Sequence, residues 1–280
     1  IEGGSPLKVY ADRVQLSLQN SFNEANEDVL VLNGMAYSQP FISEAMAQLE
    51  QEGRDEIVVI PMFPQYSTAT TASVFEAVNE AASKWEISPK LHFVNDLYAE
   101  PAFVRAWSIL ITRHLKEEEI DHVIFSYHGM PEQAILKADD ANHCRFGVCC
   151  QQISDKNELC YRAQCIATTR SITEALAWER DEYSIAFQSR FGRQAWIKPY
   201  LDEHLQDLLG QGINRVAIIT PSFVSDCLET IHEIGIEYKG QFMEGGGRVM
   251  QLIPNLNDDP GWCSAVLEIS RRHLKMAEFN

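Results

Sequence analysis

The sequence places a histidine where a buried strand should end. Val123-Ile-Phe-Ser-Tyr-His128 is an apolar, β-favouring run, and Gly129-Met130-Pro131 breaks it. A strand ending there presents an imidazole at a sheet rim, able to accept a proton or bind a metal near neutral pH. The alternative is a ring tied to nearby backbone. A second run, Val216-Ala-Ile-Ile-Thr-Pro221, leads into Asp226, Glu229, Glu233 and Glu237. On a helix these acids fall on one stripe. Asp226-x-x-Glu229 also fits a capping box, and the stripe also fits a solvated face. Like charges four residues apart cost a few tenths of a kcal/mol per pair. A path for hydrated cations gives them an offsetting use. His128 and Glu229 are expected to face each other across one cleft.

The cysteines supply another chemistry. Five of the seven lie in the pattern Cys144-x4-Cys149-Cys150-x9-Cys160-x4-Cys165. Clustering in a long chain points to metal or redox chemistry rather than a disulfide scaffold. Four thiolates hold either zinc or a [2Fe-2S] cluster, and the spacing alone leaves that choice open. One of Cys149 and Cys150 is expected to be spare. Cys227 and Cys263 read as core residues.

The elements that must position these groups alternate. Candidate strands are Asp28–Asn33, Glu56–Ile60, Lys90–Val94, Asp121–Tyr127, Tyr183–Ser189, Val216–Thr220 and Arg248–Leu252. Between them lie helical stretches: Ala11–Asn23, Ser43–Gln51 capped by Ser43, Thr71–Trp85, Pro101–Glu118, Thr168–Trp178, Pro199–Leu209, Leu228–Lys239 and Trp262–Met276. Strand and helix in alternation predict an α/β protein with parallel sheets. Two Rossmann-like halves are expected, residues 1–118 and 119–280, with a cleft between them. Val59-Ile-Pro61-Met-Phe63 and Ile219-Thr-Pro221-Ser-Phe223 repeat one device across the halves. Residues 132–166 form a cysteine-rich insertion, read as irregular from Glu132 to Gln164 and too long for an ordinary connection.

A formal charge of −17 argues against nucleic acid as partner and suits a chain that attracts cations. No apolar run approaches the ~20 residues of a membrane span. Ile1-Glu-Gly-Gly-Ser-Pro6 is polar and turn-rich, unlike a signal peptide. No glycine-rich phosphate loop follows a strand, which disfavours a nucleotide enzyme. A cytoplasmic protein, in peripheral contact with a membrane if at all, is expected.

Six blocks in order resemble ferrochelatases, which insert ferrous iron into porphyrin. They are Gly3-Gly-Ser-Pro-Leu7; Pro64-Gln-Tyr-Ser67 with Thr70-Thr-Ala-Ser73; Phe125-Ser-Tyr-His128-Gly-Met-Pro131; Phe187-Gln-Ser-Arg-Phe-Gly192 with Trp196 and Pro199; Ser225-Asp226 through Tyr238; and Leu256-Asn-Asp-Asp-Pro260. The resemblance implies two Rossmann-like domains around a porphyrin cleft, with ferrous iron and protoporphyrin IX as substrates. It implies that His128 accepts pyrrole protons or contacts the iron, and that Glu229 is its partner. Asp226, Glu233 and Glu237 would relay protons or metal. Tyr66, Ser67, Tyr127, Trp196 and Phe223 would contact porphyrin. It shifts the cysteine preference from zinc to [2Fe-2S], with Cys144, Cys149, Cys150, Cys160 and Cys165 as candidate ligands.

Relatives carry a further first strand and an apolar lip before the point where this sequence begins. Gly34-Met35-Ala36-Tyr37 lacks the arginine common in that block. Coproporphyrin III would want more basic residues at the mouth, so protoporphyrin is the expectation. A cobalt chelatase is a related alternative. A non-catalytic iron–sulfur or haem sensor is one of another class.

Overall fold

The computed structural model describes residues 5–115 and 119–277. Gly3, Gly4 and the expected helix end at Glu118 lie outside the described residues. The chain opens with helix α1 (Pro6–Glu24), whose proline sits in the first turn, where a missing N–H costs nothing. Val14, Leu18 and Phe22 form its buried stripe.

The stretch from Asp28 to Asn33 has no regular structure and joins no sheet among the described residues. Its backbone groups pair instead with glutamines of α1. Gln15 donates to the Val31 carbonyl at 2.9 Å, and Gln19 both donates to Val29 and accepts from Val31 at 2.9 Å. The expected first strand is therefore an irregular segment satisfied by side chains.

Helix α2 (Ile42–Gln51) follows. Its cap position is Phe41, not Ser43. The Glu44 carboxylate turns back to accept the Phe41 N–H at 2.7 Å. Strand β1 (Glu56–Val59), a π-wound turn (Thr68–Ala72), helix α3 (Ser73–Ala82) and strand β2 (Lys90–Phe93) come next. The two strands pair in parallel from Glu56↔Lys90 to Val59↔Phe93. Helix α4 (Pro101–His114) closes this half, capped by the Glu100 carboxylate, which accepts from Ala102 N.

The second sheet contains β3 (His122–His128), β4 (Tyr183–Gln188), β5 (Arg215–Ile219) and β6 (Val249–Leu252). All its pairs are parallel, in the order β4-β3-β5-β6. His122 to Tyr127 are buried throughout, as a strand covered on both faces requires. Chain order reverses at β3, with β4 on one side and β5 on the other. In open α/β sheets such a switch point opens a crevice at the carboxyl ends.

The insertion is less irregular than expected. It contains α5 (Glu132–Lys137) and a 3₁₀ turn (Cys149–Gln151), and α6 (Tyr161–Leu176) begins inside it. No glycine or proline interrupts 161–176, and Tyr161, Ala163, Gln164 and Cys165 bury its first turns. Helix α7 (Leu201–Gly210) covers the sheet.

The predicted helix at 228–239 is wound as a π-helix over Glu229–Tyr238 and continues as α8 (Lys239–Glu244). Helix α9 (Pro260–Ala277) crosses back to the first half. Phe103 and Trp262 meet edge-on at 5.9 Å, and Arg105–Glu268 and Arg272–Glu100 ion pairs flank them at 2.6 and 2.8 Å.

A buried imidazole chain ties α7 to the sheet. His122 Nδ1 lies 3.2 Å from the Asp181 carbonyl, and Ser184 Oγ lies 2.9 Å from His122 Nε2 and 2.7 Å from His204 Nε2. A carbonyl only accepts, so His122 carries its proton on Nδ1. Ser184 then donates to His122 and accepts from His204. Burial holds both histidines below their ordinary pKa.

The unfolded chain therefore takes up protons first as pH falls through about 6.5, and stability is lost below that point. A His204→Gln variant keeps an N–H for Ser184. It should flatten this acid loss, read from urea midpoints at pH 7 and pH 5.

Candidate active site

His128 closes β3 at the switch point, half-buried and opposite Gln188 in register. Every polar handle but one is occupied. Its N–H donates to Ser222 Oγ at 3.1 Å, and its carbonyl accepts from the Tyr161 hydroxyl at 2.8 Å. Nδ1 lies 2.7 Å from the Gly129 carbonyl and so carries a proton. The neutral ring then keeps its lone pair on Nε2. The backbone-tied ring and the proton-accepting ring, alternatives in the sequence, are here one arrangement.

Gly129 is required by packing. A Cβ there would lie 2.7 Å from the Gln188 carbonyl and 3.1 Å from the Trp196 ring. Trp196 is buried, and its indole N–H donates to Phe191 O at 2.8 Å. It therefore braces the turn after His128.

Glu229 begins the π-helix with an exposed position. Gln188, the register partner of His128, donates to the Glu229 carbonyl at 3.2 Å and accepts from Ser126 Oγ at 2.8 Å. One buried amide thus joins the His128 strand end to the start of the acidic helix. Phe223 lies between these regions in sequence, its ring 6.2 Å from that of His128.

The acidic stripe divides. Glu229, Glu233 and Glu237 share the π-helix, a rare winding that recurs at functional sites. Glu233 accepts from Ser189 N at 2.8 Å, Ser189 Oγ at 2.6 Å and Tyr238 OH at 3.1 Å. Glu237 pairs with His232 at 3.1 Å in solvent.

Asp226 is buried and turned elsewhere. It accepts from Asn257 Nδ2 at 2.7 Å and from Asn255 N at 3.2 Å, anchoring the closing block. The capping box, the alternative reading of Asp226, gives way to these bonds. Asp226→Ala strands those donors and should lower stability by about 2 kcal/mol, measured by chemical denaturation.

After β1, Tyr66 is half-buried and donates its N–H to Gln164 Oε1 at 2.6 Å. Ser67 is buried, its hydroxyl 2.7 Å from Thr70 Oγ1. Tyr127 is not a wall residue. It is fully buried in the core with its hydroxyl 2.8 Å from Thr169 Oγ1, because alternation along β3 turns it away from the rim. Sequence reading missed Gln164, Gln188, Ser222 and Tyr161. Nothing local in the sequence marks them, because tertiary packing alone brings them to the site.

Four sulfurs converge in the insertion. Cys149 and Cys150 Sγ lie 3.7 Å apart, with Cys144 near Cys149 and Cys160 near Cys150. Arg145 N donates to Cys149 Sγ at 3.1 Å. Burial and the neighbouring Cys149 push the Cys144 thiol up to about 11. Contact with Cys150 lowers Cys160 against the effect of burial.

Cys165 lies deeper, fully buried and against Tyr161. Cys149 and Cys150 thus stay together, and Cys165 is the sulfur set apart. Among the described residues, no three His, Cys, Asp or Glu side chains cage a single ion. No described helix is long and apolar enough to cross a membrane.

The fold has counterparts among known proteins. SirB from Bacillus subtilis with Fe3+ superposes with a TM-score of 0.65 at 14% identity, over 99% of this chain and 94% of that one. CbiX, the terminal enzyme for biosynthesis of siroheme in denitrifying bacteria, gives 0.56 at 13% identity, over 95% and 90%. These likenesses establish a chelatase fold.

The sequence comparisons go further. A ferrochelatase of Coxiella burnetii (strain CbuG_Q212) is 37% identical over 98% of this chain and 75% of its own length. One of Legionella pneumophila (strain Paris) is 38% identical over 98% and 80%. The ferrochelatase family model matches residues 1–274. The chain belongs to the ferrochelatase family, the lyases that insert iron into porphyrin.

Proposed function

We propose that the chain inserts ferrous iron into protoporphyrin IX to form protohaem, with His128 accepting pyrrole protons. The observation that carries this is the histidine itself. Its Nδ1 proton is committed to Gly129 O, which leaves Nε2 as the acceptor at the rim of the switch strand. The reaction exchanges two N–H protons for one Fe2+ without a change of oxidation state.

A general base must lie within hydrogen-bond reach of the proton it takes. Beside it, Phe223 offers an apolar face to the macrocycle. Tyr66 and Ser67 supply the opposite wall, and Trp196 supports the histidine from behind. Glu229 partners His128 on the side where iron enters or protons leave. Glu233 and Glu237 extend that path along the π-helix, while Asp226 holds the helix start to the closing block.

Protoporphyrin carries fewer carboxylates than coproporphyrin III. The charge of −17 and Ala36 in place of a basic residue favour the less anionic substrate. Arg190 is already paired with Asp202 and Glu203 at 3.0 and 3.3 Å. With ferrous iron under anaerobic conditions, kcat/KM should favour protoporphyrin by about tenfold or more, a ratio that a few charged contacts can set. A preference for coproporphyrin would reassign the substrate. Turnover of neither porphyrin would leave the sensor reading.

The resident cofactor in this reading is a [2Fe-2S] cluster on Cys144, Cys149, Cys150 and Cys160. Two thiolates bound tetrahedrally to one metal at about 2.3 Å stand roughly 3.7 Å apart, the separation of Cys149 and Cys150. A two-iron cluster divides its ligands two and two. When bound, the cluster supplies a one-electron centre and a cross-link across the insertion. Zinc on the same sulfurs is the alternative. Free thiols throughout fit a reducing cytoplasm, and a hydrophobic product fits peripheral contact with a membrane.

A further inference from the structure

Helix α6 touches the segment after β1 and the end of β3 through one buried polar face. Tyr161 and Gln164 lie three residues apart, and Thr168 follows four later, so they share that face. All three are buried. The Tyr161 hydroxyl donates to the His128 carbonyl at 2.8 Å. Gln164 Oε1 accepts the Tyr66 N–H at 2.6 Å, while its amide donates to the Glu158 carbonyl at 2.6 Å and lies 3.4 Å from Asp96 Oδ2. Thr168 Oγ1 accepts from Gln65 Nε2 at 2.9 Å. Backbone groups at the end of β3 and after β1 are therefore held by side chains of one helix.

We propose that α6 is the spacer that sets the two walls of the porphyrin cleft against each other, with Tyr161 positioning His128 and Gln164 positioning Tyr66. This rests on the reading of His128 as proton acceptor and Tyr66 as porphyrin contact. The two links have different consequences. The His128 carbonyl and Nδ1 share one turn, since Nδ1–H donates to the next carbonyl along, Gly129 O. Loss of the Tyr161 hydroxyl leaves the His128 carbonyl without that donor, while the same peptide's N–H, on Gly129, still donates to Gln188 O at 2.8 Å. The peptide can then tilt about that one bond, and Nε2 loses its fixed aim. The Tyr66 N–H belongs to a wall that binds porphyrin without exchanging protons. Loss of its acceptor alters binding rather than proton transfer. Ser222 holds the His128 N–H from another strand end and acts with Tyr161.

The test compares Tyr161→Phe and Gln164→Met, both of which keep most of the buried volume. Steady-state kinetics with ferrous iron and protoporphyrin would be read beside thermal unfolding. Displacements near 1 Å can cost about 100-fold in rate. Tyr161→Phe should lower kcat about 10- to 100-fold with KM for porphyrin within about twofold. Gln164→Met should raise that KM about tenfold with kcat within about twofold.

A second readout needs no turnover. Long-range 15N–1H correlation of the histidine rings should show His128 as the single Nδ1–H tautomer in the parent and as a mixture in Tyr161→Phe. Kinetic constants that both variants leave unmoved, or move together, would overturn the spacer, as would an unchanged tautomer. Full activity in His128→Ala would instead remove the functional reading beneath it.

Discussion

Replacing His128 with alanine should lower the rate of iron insertion about 10²- to 10⁴-fold, the usual worth of a positioned general base. The fold should survive, because the ring is half-buried at a strand end and its neighbours keep other bonds. Ser222 still holds the residue's N–H and Tyr161 its carbonyl. The substitution removes one acceptor, Nε2, which no other group on that rim replaces in the same place. Thermal midpoint and visible spectrum should stay close to the parent's. A variant that keeps near-parental turnover would show that another group takes the pyrrole protons. A variant that loses turnover only by unfolding would leave the role of Nε2 unsupported.

The second large effect concerns the sulfurs. Cys144, Cys149, Cys150 and Cys160 should each be needed for the iron–sulfur bands, and Cys165 should not. Alanine at any of the four should reduce iron and acid-labile sulfide in the purified protein to background. Alanine at Cys165 should leave both at the parental level, because that sulfur faces Tyr161 and the core. Structural metal sites contribute folding free energy directly. The four ligand variants should therefore also unfold at lower temperature, and α6 should lose protection from hydrogen exchange first, since Cys160 immediately precedes it. Zinc retained by the parent without sulfide would keep the ligands and change the metal. Loss of the bands in Cys165→Ala with retention in Cys144→Ala would overturn the ligand set.

Much of this arrangement was legible as sequence because it depends on strong local signals. The run ending at His128 is apolar on both faces and then broken by glycine and proline, so a buried strand with a rim histidine was readable. Asp28–Asn33 shows where that logic stops. Its Val-Leu-Val-Leu run reads as a strand, yet Gln15 and Gln19 satisfy the backbone instead. No local pattern indicates that a helix ten or more residues away supplies the partners.

Winding was equally hidden. Glu229–Tyr238 has helical periodicity, and positions four apart stay near one line whether the turn closes at i+4 or i+5. The site's supports were least visible. Gln164 and Gln188 are ordinary glutamines in sequence, and only tertiary packing brings them to Tyr66 and Glu229. Tyr127 failed in the opposite sense. The resemblance implied a porphyrin contact, but the two-residue period of a strand puts Tyr127 and His128 on opposite faces.

The most direct measurement is the absorption spectrum followed in time after ferrous iron is added, without air, to the protein and protoporphyrin IX. The account predicts loss of the free-base porphyrin bands and matching growth of haem absorption, at a rate that collapses in His128→Ala. Free-base bands that persist at the rate of a protein-free control, in a protein that is folded and retains its metal, would contradict it.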